Sequence, residues 1–196
     1  YINANAGNGT VAYWNDNDNG SAILAVKPIT INAAADVATY FSETSIKLPE
    51  SSNILLYYAN NVENGYVKLQ EIDKTVPVYP ETGLVVKLGT DENYTLAPQI
   101  ESPGTATAPG GNLLKGTTKR TLITKRVNTE NYVLAMNPSV GFYRAVNGEN
   151  EGEFYNGAFR AYLETTTTQG TAAFYGVDWG ETTGIETLVP ATDVNA

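Results

Sequence analysis

Hydrophobic residues recur along the chain in short runs, and several of these runs alternate with polar residues. Residues 84–88 read LVVKL, so that Leu84, Val86 and Leu88 share one face of an extended chain. Residues 160–164 alternate in the same way. Because successive side chains of a β-strand point to opposite faces, a period of two predicts strands that bury at least one face. Runs rich in aromatic and β-branched residues predict further strands at residues 54–58, 132–136 and 172–177.

Turn-forming residues separate these runs. Asn-Gly dipeptides, in which both residues tolerate positive φ, occur at residues 64–65, 147–148 and 156–157. The first lies between Val62 and Val67 and predicts a hairpin, and the other two repeat the pattern. Prolines, which interrupt helices and cannot donate to a strand ladder, stand at positions 49, 77, 80, 98 and 103.

The spacing of these signals predicts an all-β fold. Residues 32–41 are the one stretch that favours a helix, through the alanines at 33–35, whereas Val37, Thr39 and Tyr40 favour a strand. Residues 98–111 are rich in Pro, Gly, Ser, Thr and Ala and predict a long surface loop. Many short strands between turns are typical of an antiparallel β-sandwich or a barrel-like module.

The charge balance argues against nucleic acid as a partner. The chain has 21 acidic and 12 basic side chains and a net charge of −9, whereas binding to phosphate groups requires clustered Lys and Arg. Residues 115–126 are locally basic, which a solvated strand or hairpin explains. The chain also lacks an apolar run of about 18 residues, so the sequence predicts no transmembrane segment within it.

Neither cysteine nor histidine occurs in the chain. Their absence excludes disulfides, thiolate metal sites and Ser-His or Cys-His catalysis within it. A glycosidase needs only two carboxylates, which Glu149, Glu151 or Glu153 could supply together with Asp178. These glutamates lie in a Gly- and Asn-rich stretch, residues 147–157, where water keeps carboxylates ionised. We therefore predict that the chain is not an enzyme, with a fragment of a glycoside-active enzyme as the lesser alternative.

Calcium is a candidate ligand near the start of the chain. Residues 15–20 read NDNDNG, in which Asp16 and Asp18 offer carboxylate oxygens and the glycine allows a sharp turn. An EF-hand would also need a glutamate where this chain has Val26. Asn and Asp occupy plain turns for backbone reasons as well. The sequence thus predicts no cofactor, with calcium at Asp16 and Asp18 as the alternative.

Carbohydrate is the second candidate ligand. The chain has 13 tyrosines, 5 phenylalanines and 2 tryptophans. Trp14 lies beside Asp16, and Trp179 lies beside Asp178, which pairs an aromatic ring with polar groups as sugar recognition requires. Cross-strand packing in a sheet explains the same aromatic residues. Trp14, Trp179 and Asp178 are therefore candidate sugar-binding residues, with packing as the competing explanation.

Short phrases follow one another in a characteristic order over about four fifths of the chain. They are ATYF (38–41), IKLP (46–49), VP (76–77), TGLVV (82–86), YTL (94–96), GNLLKGT (111–117), NYVL (131–134), GFYRA (141–145), RAYL (160–163) and TGIE (183–186). In this order and spacing the chain resembles a β-rich module found toward the C-terminus of many Bacteroidetes secreted and cell-surface proteins. It departs from that module at residues 78–81, VYPE, where Ala-Asn is usual, and in the threonine run of residues 164–170.

The resemblance implies an exported, surface-exposed module of largely unassigned biochemical role, and it transfers no catalytic residues. Residues 29–188 would form the main β-module and residues 189–196 a tail or linker. Residues 1–28 would be either the end of a preceding lectin-like or β-trefoil-like domain or an extra hairpin.

On this basis we expect a secreted or cell-surface protein, on the outer face of the outer membrane, in which this module is a structural spacer, adhesive or accessory domain. A carbohydrate-binding module is the alternative function. Glycans or other cell-surface proteins are the expected partners, and Lys and Pro near strand ends favour a monomer.

Overall fold

The computed structural model describes residues 2–5, 10–13, 28–31, 36–89, 94–96, 98–100, 108–147, 150–169 and 171–180. In chain order the strands are β1 (Ile2–Asn5), β2 (Thr10–Tyr13), β3 (Ile29–Ile31), β4 (Val37–Ser42), β5 (Ile46–Lys47), β6 (Ile54–Glu63), β7 (Tyr66–Ile72), β8 (Thr82–Leu88), β9 (Tyr94–Leu96), β10 (Gln99–Ile100), β11 (Leu114–Thr117), β12 (Thr121–Ile123), β13 (Thr129–Met136), β14 (Val140–Arg144), β15 (Val146–Asn147), β16 (Asn150–Glu151), β17 (Phe154–Asn156), β18 (Arg160–Thr166) and β19 (Phe174–Asp178). One turn of 3-10 helix, Thr167–Gln169, follows β18.

The all-β prediction is confirmed, since the described residues contain strands and this single helical turn. Within the same residues there is no helix with the length and apolar character that crossing a membrane would require. The strands β1 and β2 pair with each other and with no other described strand.

Nine strands form one strongly curved sheet in the order β11-β18-β13-β14-β19-β7-β6-β8-β4. The sheet bends until β11 and β18 at one edge lie against β8 and β4 at the other, which makes it a nearly closed barrel. Its neighbouring strands are antiparallel except for β19 and β7, which are parallel. The predicted antiparallel, barrel-like module is thus found, with one parallel pair of neighbours that makes the sheet mixed. Antiparallel pairing with β14 sets the direction of β19, and that direction makes it parallel to β7.

Side chains from both halves of the sheet meet inside the barrel. This barrel core consists of Tyr57, Ala59, Val62, Val67, Leu69, Val85, Leu114, Tyr132, Phe142, Ala161, Leu163 and Tyr175. Burial in the core and the neighbouring Tyr175 hydroxyl raise the pKa of Tyr132 above its usual range. Eight strands contribute to this cluster. Burial of their apolar inner faces therefore stabilises the curved form of the sheet.

A second, more aliphatic cluster lies on the outer face of β4, β6 and β8. It contains Ile29, Ile31, Tyr40, Ile46, Leu48, Ile54, Leu56, Val78, Leu84, Val86 and Leu88. The short strands β3 and β5 cover it from outside. Because β8 carries Val85 on its inner face and Leu84 and Val86 on its outer face, both of its faces are buried. This explains why its sequence is an almost continuous apolar run.

The phrase GNLLKGT closes the barrel. The Asn112 side chain donates from Nδ2 to the carbonyl oxygen of Gly83 at 2.9 Å. Its Oδ1 accepts from the Leu114 backbone N–H at 3.0 Å. At Gly116 the Phe41 ring lies so close that an added Cβ would overlap it. The segment therefore needs a small residue where β11 meets the end of β4.

Leu113 connects the two halves of the sheet directly. Its N–H donates to the carbonyl oxygen of Ala59 in β6 at 2.8 Å, and its own carbonyl accepts from the Glu164 N–H in β18 at 3.0 Å. One residue thus bonds to both halves of the sheet where no strand ladder joins them.

Two local predictions differ in outcome. The Asn64-Gly65 hairpin between β6 and β7 is confirmed, with φ of 52° and 82°. The Asn156-Gly157 hairpin is wrong, because the positive φ at that turn belongs to Phe159 at 57° and β17 pairs with β12. The Asn156 side chain instead donates to the carbonyl oxygen of Arg160 at 2.8 Å and so supports the wider turn.

Two further expectations are corrected. Residues 37–41 belong to strand β4, so the helical interpretation of this stretch is wrong. The side chains of residues 37–41 pack against β8. The stability gained from this packing is larger than the helix propensity of the alanines at 33–35. In the predicted loop 98–111, residues 99–100 form β10, which pairs with β5, and residues 101–107 lie outside the described residues.

Candidate functional site

The structure describes only some of the residues that the sequence singles out. Trp14, Asp16 and Asp18 lie outside the described residues, so calcium binding there stays a prediction. Among the residues that are described, no group of three or more acidic side chains is placed to hold a metal ion. Trp179 and Asp178 are described, and they follow each other at the end of β19.

Trp179 is half-buried and packs against the barrel core. The Tyr57 ring meets it edge-on, with 5.1 Å between the ring centroids and an interplanar angle of 66°. The Lys87 ammonium lies over the indole ring, 4.5 Å from its centroid. Aromatic and cation–π contacts of this kind stabilise a ring in place. The indole thus already has partners from β6 and β8.

Asp178, the residue before Trp179, also has bonded partners. Lys68 Nζ donates to its Oδ2 at 2.6 Å, and the Gly180 N–H donates to its Oδ1 at 3.0 Å. The hydrogen bond from Lys68 lowers the pKa of Asp178, with a further contribution from the Gly180 N–H. The hydrogen bond to Asp178 raises the pKa of Lys68. We call Trp179, Asp178, Lys68, Lys87 and Tyr57 the Trp179 corner.

The candidate catalytic carboxylates are not joined by a contact in the described part of the chain. Glu149 lies outside it, and Glu151 contributes backbone to the short strand β16. Glu153 precedes β17, which pairs with β12 in a small sheet of its own. Asp178 ends a strand of the nine-stranded sheet and has Lys68 as its charge partner.

Two of the grooves on the described part of the surface are wide enough to be considered as ligand sites. The smaller, of about 410 Å³, lies between β4, the end of β13 and β17. Its strongest polar groups are already bonded: Arg160 Nη1 donates to the Thr39 carbonyl at 3.0 Å. The Asn156 amide donates to Thr117 Oγ1 and to the Arg160 carbonyl. This groove therefore has few polar groups free to recognise a ligand.

The larger groove has a volume of about 750 Å³ and lies over β11, the segment that closes the barrel. We call it the Tyr79 groove. Its lining residues are Phe41, Tyr79, Pro80, Glu81, Thr82, Ala108, Pro109, Gly111, Asn112, Leu114, Lys115, Gly116, Arg126 and Tyr162.

Three aromatic side chains contribute to the Tyr79 groove. Phe41 and Tyr162 are buried in its walls, whereas Tyr79 is 41% exposed at its rim. Burial raises the pKa of Tyr162, and the Glu164 carboxylate raises it further. The groove thus has one solvent-exposed aromatic ring, that of Tyr79, and two buried ones.

Charged groups of both signs surround these rings. Lys115 pairs with Tyr162 across the β11–β18 ladder, and its Nζ donates to the Asn112 carbonyl at 3.2 Å. Arg126 Nη1 lies 3.9 Å from Glu164 Oε1. Glu81 is exposed opposite them. The groove can therefore donate and accept hydrogen bonds along its length.

The Glu81 backbone is held in an unusual conformation at the rim. Its φ is 57°, and its N–H donates to the Ser42 carbonyl at 2.9 Å. A non-glycine residue with positive φ costs energy and persists where the surrounding structure holds it. The segment that carries Tyr79 is therefore fixed against the end of β4.

No protein-family model, no curated protein and no solved structure matches this chain. The resemblance to the Bacteroidetes module stays a prediction.

Proposed function

We propose that this chain is a non-catalytic β-module of a larger protein that is secreted or displayed on the cell surface. It acts there as a rigid spacer or accessory domain that positions a neighbouring domain. The observation that carries this proposal is the position of β19, the last described strand, in the middle of the nine-stranded sheet.

A central position of the last described strand suits a module that transmits load. β19 pairs with β14 through Tyr175 and Phe174 and with β7 through Gly176, Val177 and Asp178. A force applied to the chain after β19 acts along the strand axis. The hydrogen bonds of β19 with β14 and with β7 are then loaded in shear at the same time. The ion pair and the packed indole of the Trp179 corner add resistance at the end where the load enters.

Single-molecule stretching tests this proposal. In a tandem repeat of the chain, we expect each module to unfold in one step. Forced unfolding reports the unfolding rate rather than the equilibrium free energy. We therefore expect Trp179→Ala to lower the unfolding force more than Phe154→Ala, which removes a buried ring away from β19. Stepwise unraveling at low force, or equal effects of the two substitutions, would contradict a load-bearing role.

The absence of catalysis needs its own test. We expect no turnover of chromogenic glycosides by the purified chain. Turnover that Glu153→Gln or Asp178→Asn abolishes would overturn the non-catalytic proposal and favour the glycoside-active alternative. The controls for such a result are folded variants with unchanged melting temperature.

A further inference from the structure

We propose that the Tyr79 groove is a binding site for an uncharged polysaccharide chain. This inference goes beyond the spacer role, because it assigns a ligand class to a surface that a spacer does not need. It also differs from the sequence prediction, which relied on Trp14 and Trp179.

The size and shape of the groove fit a chain molecule. Its volume of about 750 Å³ lies within the range of small-molecule sites, about 300–1,000 Å³. It is an open trough between the 79–82 segment and the β11–β18 face rather than an enclosed cavity. An extended ligand can therefore pass through it with its ends in solvent.

An aromatic ring of the groove is complementary to the apolar face of a sugar ring. A pyranose has apolar C–H faces and a hydroxyl-lined edge, so it binds best where a flat ring stands beside hydrogen-bonding groups. Tyr79 offers such a ring at the rim, and its hydroxyl adds a polar group at the same place. Indole contacts with Lys87 and Tyr57 already use the corresponding surface of Trp179.

The charges around the groove indicate that the ligand is neutral. Two cations, Lys115 and Arg126, and one carboxylate, Glu81, line the groove, and Arg126 has a further carboxylate, Glu164, as its charge partner at 3.9 Å. An anionic ligand would meet the carboxylates, and a cationic one would meet the cations. The hydroxyl groups of a neutral sugar can accept hydrogen bonds from the cations and donate hydrogen bonds to the carboxylates without adding charge. Because Glu164 pairs with Arg126, Lys115 and Glu81 are left as one cation and one carboxylate in the lining, which favours an uncharged glycan over nucleic acid or an anionic polysaccharide.

The groove is preformed. Its floor is β11, which Phe41 covers at Gly116 and which Asn112 ties to Gly83. The Glu81 N–H bond to Ser42 holds the rim that carries Tyr79. A fixed site loses little conformational entropy on binding. The same contacts that close the barrel thus shape the ligand surface.

Affinity electrophoresis tests the inference. The chain is run in gels that contain neutral β-glucan, xylan or mannan, and in gels that contain polygalacturonate or heparin. Binding to a retarding polysaccharide is then quantified by calorimetry with its hexasaccharide. Tyr79→Ala and Tyr79→Phe are compared with Tyr66→Ala, which removes a tyrosine of similar exposure, 50%, outside the groove.

We expect retardation by at least one neutral polysaccharide and little change of Kd with salt, since no ion pair forms. Tyr79→Ala should weaken binding about tenfold, which corresponds to about 1.4 kcal/mol. Tyr79→Phe should keep most of the affinity, and Tyr66→Ala all of it. Unchanged melting temperatures would show that the Tyr79 variants are folded.

Three outcomes would overturn the inference. The first is no retardation by any neutral polysaccharide in the set. The second is preferential, salt-sensitive binding to polygalacturonate or heparin. The third is equal affinity of the Tyr79→Ala variant and the unmodified chain. None of these outcomes affects the spacer role, which the stretching experiment tests separately.

Discussion

The Trp179 corner and the Tyr79 groove are built from the same kinds of residue but use them differently. Each combines an aromatic ring with lysine and carboxylate groups. At the corner, the ring lies under Lys87 and against Tyr57, and the carboxylate bonds to Lys68. In the groove, the ring of Tyr79 is 41% exposed at the rim. The corner contributes to stability, and the groove offers contacts to a ligand.

The comparison shows that an aromatic and a polar residue standing side by side in the sequence do not by themselves identify a binding surface. Trp179 and Asp178 are adjacent, but each binds to a different strand of the same sheet. The groove instead combines the 79–82 segment, β11 and β18, which lie far apart in the chain. The two regions can be separated experimentally, because substitutions should affect stability at one and ligand binding at the other.

The largest expected effect is on stability at the corner. Trp179→Ala removes a half-buried indole and its contacts with the barrel core, so we expect a loss of about 3 kcal/mol in the free energy of unfolding. Tyr79→Ala removes a rim side chain and should change the same quantity by less than about 0.5 kcal/mol. Urea denaturation measures both. Similar losses of unfolding free energy for the two variants would mean that Tyr79 is also a packing residue. The proposed difference between the corner and the groove would then be wrong.

A second substitution tests how far the groove depends on barrel closure. Gly116→Ala places a Cβ against the Phe41 ring, so we expect a loss of about 2 kcal/mol in the free energy of unfolding through overpacking. Gly110 has no atom within 4 Å of an added Cβ, which makes Gly110→Ala the matched control.

The Phe41→Leu substitution should recover part of the loss in the Gly116→Ala background, because it relieves the overlap at the same point. If Gly116→Ala costs no more than Gly110→Ala, the floor of the groove can move and is not preformed.

The strands themselves were largely predictable because their cause is local. The alternation in residues 84–88 and 160–164 predicts β8 and β18, and Asn64-Gly65 predicts the hairpin between β6 and β7. Closure was not predictable, because it depends on Leu113 bonding to residues 54 and 51 positions away, Ala59 and Glu164. No local pattern encodes such a contact.

The candidate site shows the same limit. An exposed ring and a packed ring have the same sequence signature, so the contacts of Trp179 with Tyr57 and Lys87 could not be predicted from the sequence. The sequence did contain one signal for the groove: the two ends of the locally basic stretch from 115 to 126, Lys115 and Arg126, line it.

The smallest expected effect is the pH dependence of the corner. The folded pKa of Asp178 lies below its ordinary value, so the ion pair contributes stability above the unfolded pKa of about 3.9. This contribution is lost as pH falls through the folded pKa. The pKa of Lys68 is raised, so its contribution is complete below about 10.4 and is lost as pH rises through the folded value. The side chains are 34% and 36% exposed, so the effect is small and weakened by salt.

Asp178→Asn isolates the charge, because the amide oxygen can still accept the Gly180 N–H. At low salt the difference in unfolding free energy between the unmodified chain and this variant should be constant between about pH 5 and pH 9. It should shrink below about pH 4 as the carboxylate is protonated. In a Lys68→Gln background the difference should be smaller at neutral pH, and a double-mutant cycle measures the coupling. A difference that persists unchanged to pH 2 would show that Asp178 stabilises the corner through its shape rather than its charge.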